Sequence, residues 1–119
     1  MSKIIVVIGD RLGKGKNVGK GVEAAGGEAI VISGMAADMK LGDMMNEVKA
    51  DMGISFCGSG GAGAITAQSK YGYPARYGMR SVEEGLTALR EGKTVLGFGF
   101  NDSEELGRRL TEEFIKLRG

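Results

Sequence analysis

The chain has 119 residues, 16 basic against 15 acidic for a net charge of +1, with 22 glycines and no histidine. That length makes a single domain over residues 1–119, able to bury about two-thirds of its unfolded surface without a disulfide or metal. The near-neutral balance excludes nucleic acid or an anionic membrane as a bulk partner. The missing histidine removes His-dependent triads and His-ligated metal, and no cofactor or metal is expected.

In chain order, Lys3 to Ile8 is a β-branched run that is apolar on both faces, as an inner strand of a helix-covered parallel sheet should be, and it stops at Gly9-Asp10. The basic, glycine-rich stretch Arg11 to Gly21 follows and runs into a short helix with Val18, Val22 and Ala25 on one face. It is not a P-loop, because Lys14 stands where that motif needs glycine and Gly21 follows Lys20 where it needs Ser or Thr. The cluster Arg11, Lys14, Lys16 and Lys20 reads either as solvated charge or as a lid whose lysines meet an anion.

Glu28 to Ile32 is the second strand, ending at Ser33-Gly34 with no acid for a ribose. Leu41, Met44, Met45 and Val48 then form a helical stripe expected to pack on the sheet, while Met35 and Met39 fall partly off it and leave a subunit interface open.

Ile54-Ser55-Phe56-Cys57 is the third strand, and four glycines in the six residues Gly58, Ser59, Gly60, Gly61, Ala62 and Gly63 lead from it into a small-residue helix. A strand, a glycine turn and a helix start make an anion cradle, since backbone N–H groups and the positive end of the helix dipole converge there. The spacing Gly58-x-Gly60-x-x-Gly63 matches a dinucleotide fingerprint, but it follows the third strand, and Met79-Arg80 stand where the acidic partner belongs. The turn therefore suits a phosphate or carboxylate without a nucleotide. Cys57 is either a small buried hydrophobe or a thiol at the cradle's lip.

Pro74 to Tyr77 is a short strand ended by Gly78; Ser81-x-x-Glu84 is a capping box opening a helix with Val82, Leu86 and Leu89 on one face. Thr94 to Phe100 is the fifth strand, and Asp102-x-x-Glu105 reads as a second capping box before a helix carrying Leu106, Leu110, Phe114 and Leu117. Glycine is expected mainly at the turns between these elements. Five strand–helix units predict a three-layer α/β/α sandwich with a parallel sheet, Rossmann- or flavodoxin-like, in the default order 2-1-3-4-5. Asp10, Ser33, Cys57 with its cradle, Arg76 or Arg80, and Asn101 with Asp102 would then share the carboxyl edge.

Cys57 is the only cysteine, so no internal disulfide can form. No basic, apolar and small-residue order marks a signal peptide, so the cytoplasm is the expected place. No apolar run approaches the ~20 residues that a membrane helix needs.

The run Gly53 to Gly60, containing Ser55-Phe56-Cys57-Gly58-Ser59, resembles the signature of the glycine-rich SFCGS family, a bacterial family without an assigned activity. That resemblance implies a setting in carbohydrate uptake or catabolism, beside membrane proteins and sugar-acid breakdown enzymes. More distantly, Cys57-Gly58-Ser59-Gly60, Ala67-Gln68-Ser69-Lys70, Ala75-Arg76-Tyr77 and Gly9-Asp10 resemble the pattern of ribose-5-phosphate and galactose-6-phosphate isomerases with a Cys-Gly-Thr-Gly turn. This likeness implies Cys57 as a base that moves a proton between neighbouring carbons, the turn as holder of an enediolate oxygen, Asp10 as a further catalytic candidate, and a dimer. It departs where the isomerases carry histidine, since Arg11 follows Asp10 here.

Three functions follow. The first is binding of a small anionic sugar or sugar acid at residues 58–63, with Lys14, Lys16, Arg76 and Arg80 as clamps. The second is a sugar-phosphate isomerase or epimerase with Cys57 as base, and the third is a non-catalytic partner of a membrane transporter.

Overall fold

The computed structural model describes residues 3–10, 15–34, 37–56, 62–99 and 103–119. Five strands alternate with five helices: β1 (Ile5–Asp10), α1 (Lys16–Ala24), β2 (Glu28–Ser33), α2 (Ala37–Val48), β3 (Met52–Phe56), α3 (Ala62–Tyr71), β4 (Ala75–Met79), α4 (Val82–Arg90), β5 (Val95–Phe98) and α5 (Glu104–Arg118). Every strand pairing is parallel. The protein is the three-layer Rossmann-like sandwich that the alternating pattern predicts.

The strand order is β2-β1-β3-β5-β4, so the expected 2-1-3-4-5 is corrected at its last two strands. Side-chain character explains the exchange. β5 is buried at every position and carries Val95, Leu96 and Phe98, so it needs neighbours on both sides. β4 carries exposed Tyr77 and Gly78 and half-buried Arg76, follows Pro74, and shifts register between Arg76 and Met79. Those are features of an edge strand.

The exchange also moves a helix. Steps from β1 to β2 and from β4 to β5 run one way across the sheet, and steps from β2 to β3 and β3 to β4 run the other way. A single hand of crossover then requires α1 and α4 on one face and α2 and α3 on the other. The cores agree. Val18, Val22, Leu86, Leu89, Leu106 and Leu110 pack over one face with Ile8, Ile54 and Phe98. Leu41, Met45, Ala64 and Ala67 pack over the other with Val7 and Val95. The methionine stripe divides accordingly: Met45 is buried, Met44 packs half-buried against the same cluster, and Met39 is 69% exposed.

Glycine does more than mark turns. α1 and α5 touch backbone to backbone: a Cβ on Gly21 would stand 2.0 Å from the Glu104 carbonyl oxygen, and one on Gly107 would stand 2.0 Å from the Val18 carbonyl oxygen. Each helix thus offers a glycine to the other's main chain, which lets Val18, Val22, Leu106 and Leu110 bury completely.

Helix caps set the other boundaries. Ser81 accepts from the Glu84 N–H at 3.2 Å and the Glu84 carboxylate accepts from the Arg80 N–H at 2.6 Å, a capping box reaching one residue further back than expected. At α5 the cap is Ser103, whose hydroxyl accepts from the Leu106 N–H at 3.1 Å. This corrects the Asp102-x-x-Glu105 reading by one position. Ser103 has the extended backbone of an N-cap, which puts its hydroxyl within reach of the third helical N–H.

Candidate functional site

Because all strands are parallel, β1, β2, β3, β4 and β5 end at one edge, at Asp10, Ser33, Phe56, Met79 and Phe98, and the helices that follow begin there. At this edge the chain leaves β1 toward β2 and leaves β3 toward β4, in opposite directions and to opposite faces. In open α/β sheets such a divergence, here between β1 and β3 above their carboxyl ends, marks the crevice where ligands usually bind. The register Gly9↔Ser55 brings the two strand ends level.

The candidate residues distribute unevenly about this crevice. The backbone of Asp10 is the last residue of β1 and Lys16 is the first of α1. Ala62, exposed, and Gly63, buried, open α3. Lys14, Cys57, Gly58, Ser59, Gly60 and Gly61, together with Arg11, Asn101 and Asp102, lie outside the described residues. Arg76 is not brought to this edge: it sits in the first half of β4, and its guanidinium donates to Glu91, the residue that caps the far end of α4. Arg80 follows the last residue of β4, at the correct edge but two strands from β3, and is exposed there.

The helix starts differ in electrostatics. α4 and α5 open with two acids each, Glu83 and Glu84, and Glu104 and Glu105, which offset the positive ends of their own dipoles. Glu84 is held below its ordinary carboxyl range, chiefly by the hydrogen bond from the Arg80 N–H. α1 and α3, the helices that follow β1 and β3, have no acid in the first turn. α1 carries exposed Lys16 in that turn, begins at buried Gly15 with φ 138°, and receives no side-chain cap. A lysine beside the positive end of a helix is unfavourable in isolation and favourable once an anion lies between them. Lys16 has no ion-pair partner among the described residues.

Residue-level reasoning missed Ser55. It is fully buried in β3, in register with Gly9 and one residue short of the strand end. At the opposite edge a cavity of about 250 Å³ is lined by Leu89, Thr94, Phe114 and Leu117, with Lys93 and Arg118, far from the crevice.

Comparison with known proteins decides the family. The profile of the glycine-rich SFCGS family matches residues 4–117. The chain belongs to that family. Among curated proteins none matches it. Of solved structures, this SFCGS protein is similar to the Trypanosoma brucei type B ribose 5-phosphate isomerase, with a TM-score of 0.68 at 20% identity over 97% of this chain and 87% of that one. It is equally similar in fold to ribose-5-phosphate isomerase B from Mycoplasma genitalium with bound ribulose-5-phosphate, with a TM-score of 0.68 at 15% identity over 98% of this chain and 85% of the other. At those identities the likeness establishes the shared fold. No helix among the described residues is long and apolar enough to cross a membrane.

Proposed function

We propose that this SFCGS protein binds a small phosphorylated or acidic sugar at the carboxyl edge between β1 and β3. The glycine turn 58–63 is the anion cradle, and Lys16, with Lys14, is the cationic side of the site. The observation that carries this reading is the pair of acid-free helix starts flanking the crevice, one of them bearing a lysine with no ion partner among the described residues. A neighbour in fold holds ribulose-5-phosphate, which supports sugar phosphates as the first ligands to try. Arg80 is a further clamp only for a ligand long enough to span two strands, and Arg76, engaged by Glu91, is the weakest of the four proposed cations. Carbohydrate uptake or breakdown in a bacterial cytoplasm, as the family resemblance implies, is the proposed setting, with a membrane transporter as a candidate partner.

Calorimetric titration with ribose 5-phosphate, ribulose 5-phosphate, an aldonic acid and inorganic phosphate tests the proposal. Saturable binding of at least one, weakened about tenfold by Lys16→Glu and by added salt, is expected, a tenfold loss being about 1.4 kcal/mol. Absence of binding by all four at millimolar concentration would refute it.

A second reading is favoured by the fact that both structural neighbours are isomerases. In it the Cys57 thiolate takes a proton from the hydroxyl-bearing carbon next to a carbonyl, and the electron pair moves onto the carbonyl oxygen to form an enediolate held by the turn; the hydroxyl proton passes to that oxygen, and the thiol returns its proton to the former carbonyl carbon as the new carbonyl forms. A thiolate of depressed pKa at a helix start is competent for this step. Asp10 is the second catalytic candidate. An open-chain substrate is required, because the chain has no histidine to open a ring. Solvent deuterium entering a bound sugar phosphate, and failing to enter with Cys57→Ser, separates catalysis from binding alone.

A further inference from the structure

The two edges of the sheet are built differently. β4 is blunted by Pro74, a register shift and the polar, exposed side chains described above. β2, Glu-Ala-Ile-Val-Ile-Ser, has six residues in unbroken register with β1 and contains no proline, no lysine and no bulge. The Glu28 N–H donates to the Ile4 carbonyl at 2.8 Å, so Glu28, Ile30 and Ile32 turn their backbone groups toward β1. Alternation then turns the N–H and C=O groups of Ala29, Val31 and Ser33 to the open side. Among the described residues no strand meets them. Val31, 36% exposed, is one of the few large apolar side chains left open to solvent, and it sits beside Gly19, where α1 has no side chain to cover it. A regular apolar edge of this kind is a template for another strand.

We infer that β2 pairs antiparallel with β2 of a second copy of this chain about a two-fold axis through Val31, joining two sheets into one of ten strands. The register is self-complementary. Val31 opposes its own copy and Ala29 opposes Ser33 of the partner in both directions, which forms about six backbone hydrogen bonds. Charge sets the direction. The exposed side of α1 carries Lys16 in its first turn, Lys20 at its midpoint and Glu23 toward its end, with Glu28 next along the chain. The two-fold keeps both copies of α1 on the same face and runs them antiparallel, so Lys16 of each meets the acidic end of the other, with Lys20 nearest the axis. A two-fold that paired the strands in parallel would turn the second sheet over and put the two α1 helices on opposite faces, so this complementarity belongs to the antiparallel arrangement. These surface pairs contribute little energy and chiefly fix the register.

The test reads mass and cross-linking and is independent of ligand binding. Light scattering should give twice the 12.5 kDa chain mass at tens of micromolar. Val31→Lys, with an unchanged circular dichroism spectrum, should raise the dimer dissociation constant by about tenfold or more, because like charges face each other across the axis. In a Cys57→Ser background, Val31→Cys should oxidise to a covalent dimer, since a hydrogen-bonded antiparallel pair sets Cα atoms ~5.5 Å apart, inside the ~4.4–6.8 Å range that disulfides span. Met39→Cys, on the α2 surface, should not. A monomer at all concentrations overturns the inference. So does a dimer that Met39→Cys cross-links and Val31→Cys does not, which would place the contact on the α2–α3 face.

Discussion

Two alanine substitutions two positions apart on α1, at Gly19 and Gly21, test how glycine is used where α1 packs against β2 and α5. At Gly21 a new Cβ would lie 2.0 Å from the Glu104 carbonyl oxygen and 2.7 Å from the Arg108 nitrogen, both main-chain atoms that no rotamer change can move. Ordinary contact begins near 3.4 Å, so α5 must retreat by about 1.4 Å, and Leu106 and Leu110, now fully buried, must lift from the sheet. Forced overpacking of that kind costs about 1–3 kcal/mol or more. At Gly19 the nearest atom is a Val31 methyl at 3.4 Å, so alanine fits. Its better helix propensity should stabilise by about 0.5–1 kcal/mol. The two variants therefore move in opposite directions and differ by about 1.5–4 kcal/mol. At roughly 4 °C per kcal/mol for a domain of this size, Gly21→Ala should melt well below the parent and Gly19→Ala slightly above it. Urea unfolding followed by circular dichroism, with an unchanged m-value, is the measurement. Equal effects of the two substitutions, or a Gly21→Ala protein as stable as the parent, would refute the close-contact account of the α1–α5 packing.

Other outcomes follow from the same structure. Ser103→Ala should cost about 1 kcal/mol in the same unfolding assay, because the Leu106 N–H loses its acceptor; no loss would return the cap to Asp102. Glu84 should contribute stability that is fully present above its ordinary pKa of 4.5 and is lost as pH falls through its depressed folded value. Glu84→Gln should accordingly flatten the acid limb of the stability–pH profile below about pH 4.5, and an unaltered limb would count against the Arg80 N–H bond. Alkylation of Cys57 across pH, with and without sugar phosphates, should reveal a thiol reactive below its unperturbed pKa of ~8.5 and shielded by ligand if the isomerase reading holds. A thiol inert at every pH would leave Cys57 as core filling.

Period and punctuation by themselves determined the ten elements, the parallel sheet and the two apolar helix faces. The β-branched run before Gly9-Asp10, the Leu41–Met45 stripe and the Ser81 cap each reflect forces acting within a few residues, so local pattern was enough. Around the candidate site, the strand and the helix start were legible, because β3 ends at Phe56 and Ala62 and Gly63 open α3, while residues 57–61 between them lie outside the described residues. Tertiary structure decided what depends on distant neighbours. Whether β4 or β5 lies at the edge turned on which strand could satisfy its burial from both sides, and that choice carried α4 to the face of α1. Arg76 looked like a clamp in the chain and was taken by Glu91 once the strand had a direction. Gly21 and Gly107 look like any helix-weakening glycines until two backbones are laid against each other. Steric exclusion between segments far apart in sequence has no local signature, and only the packed molecule reveals it.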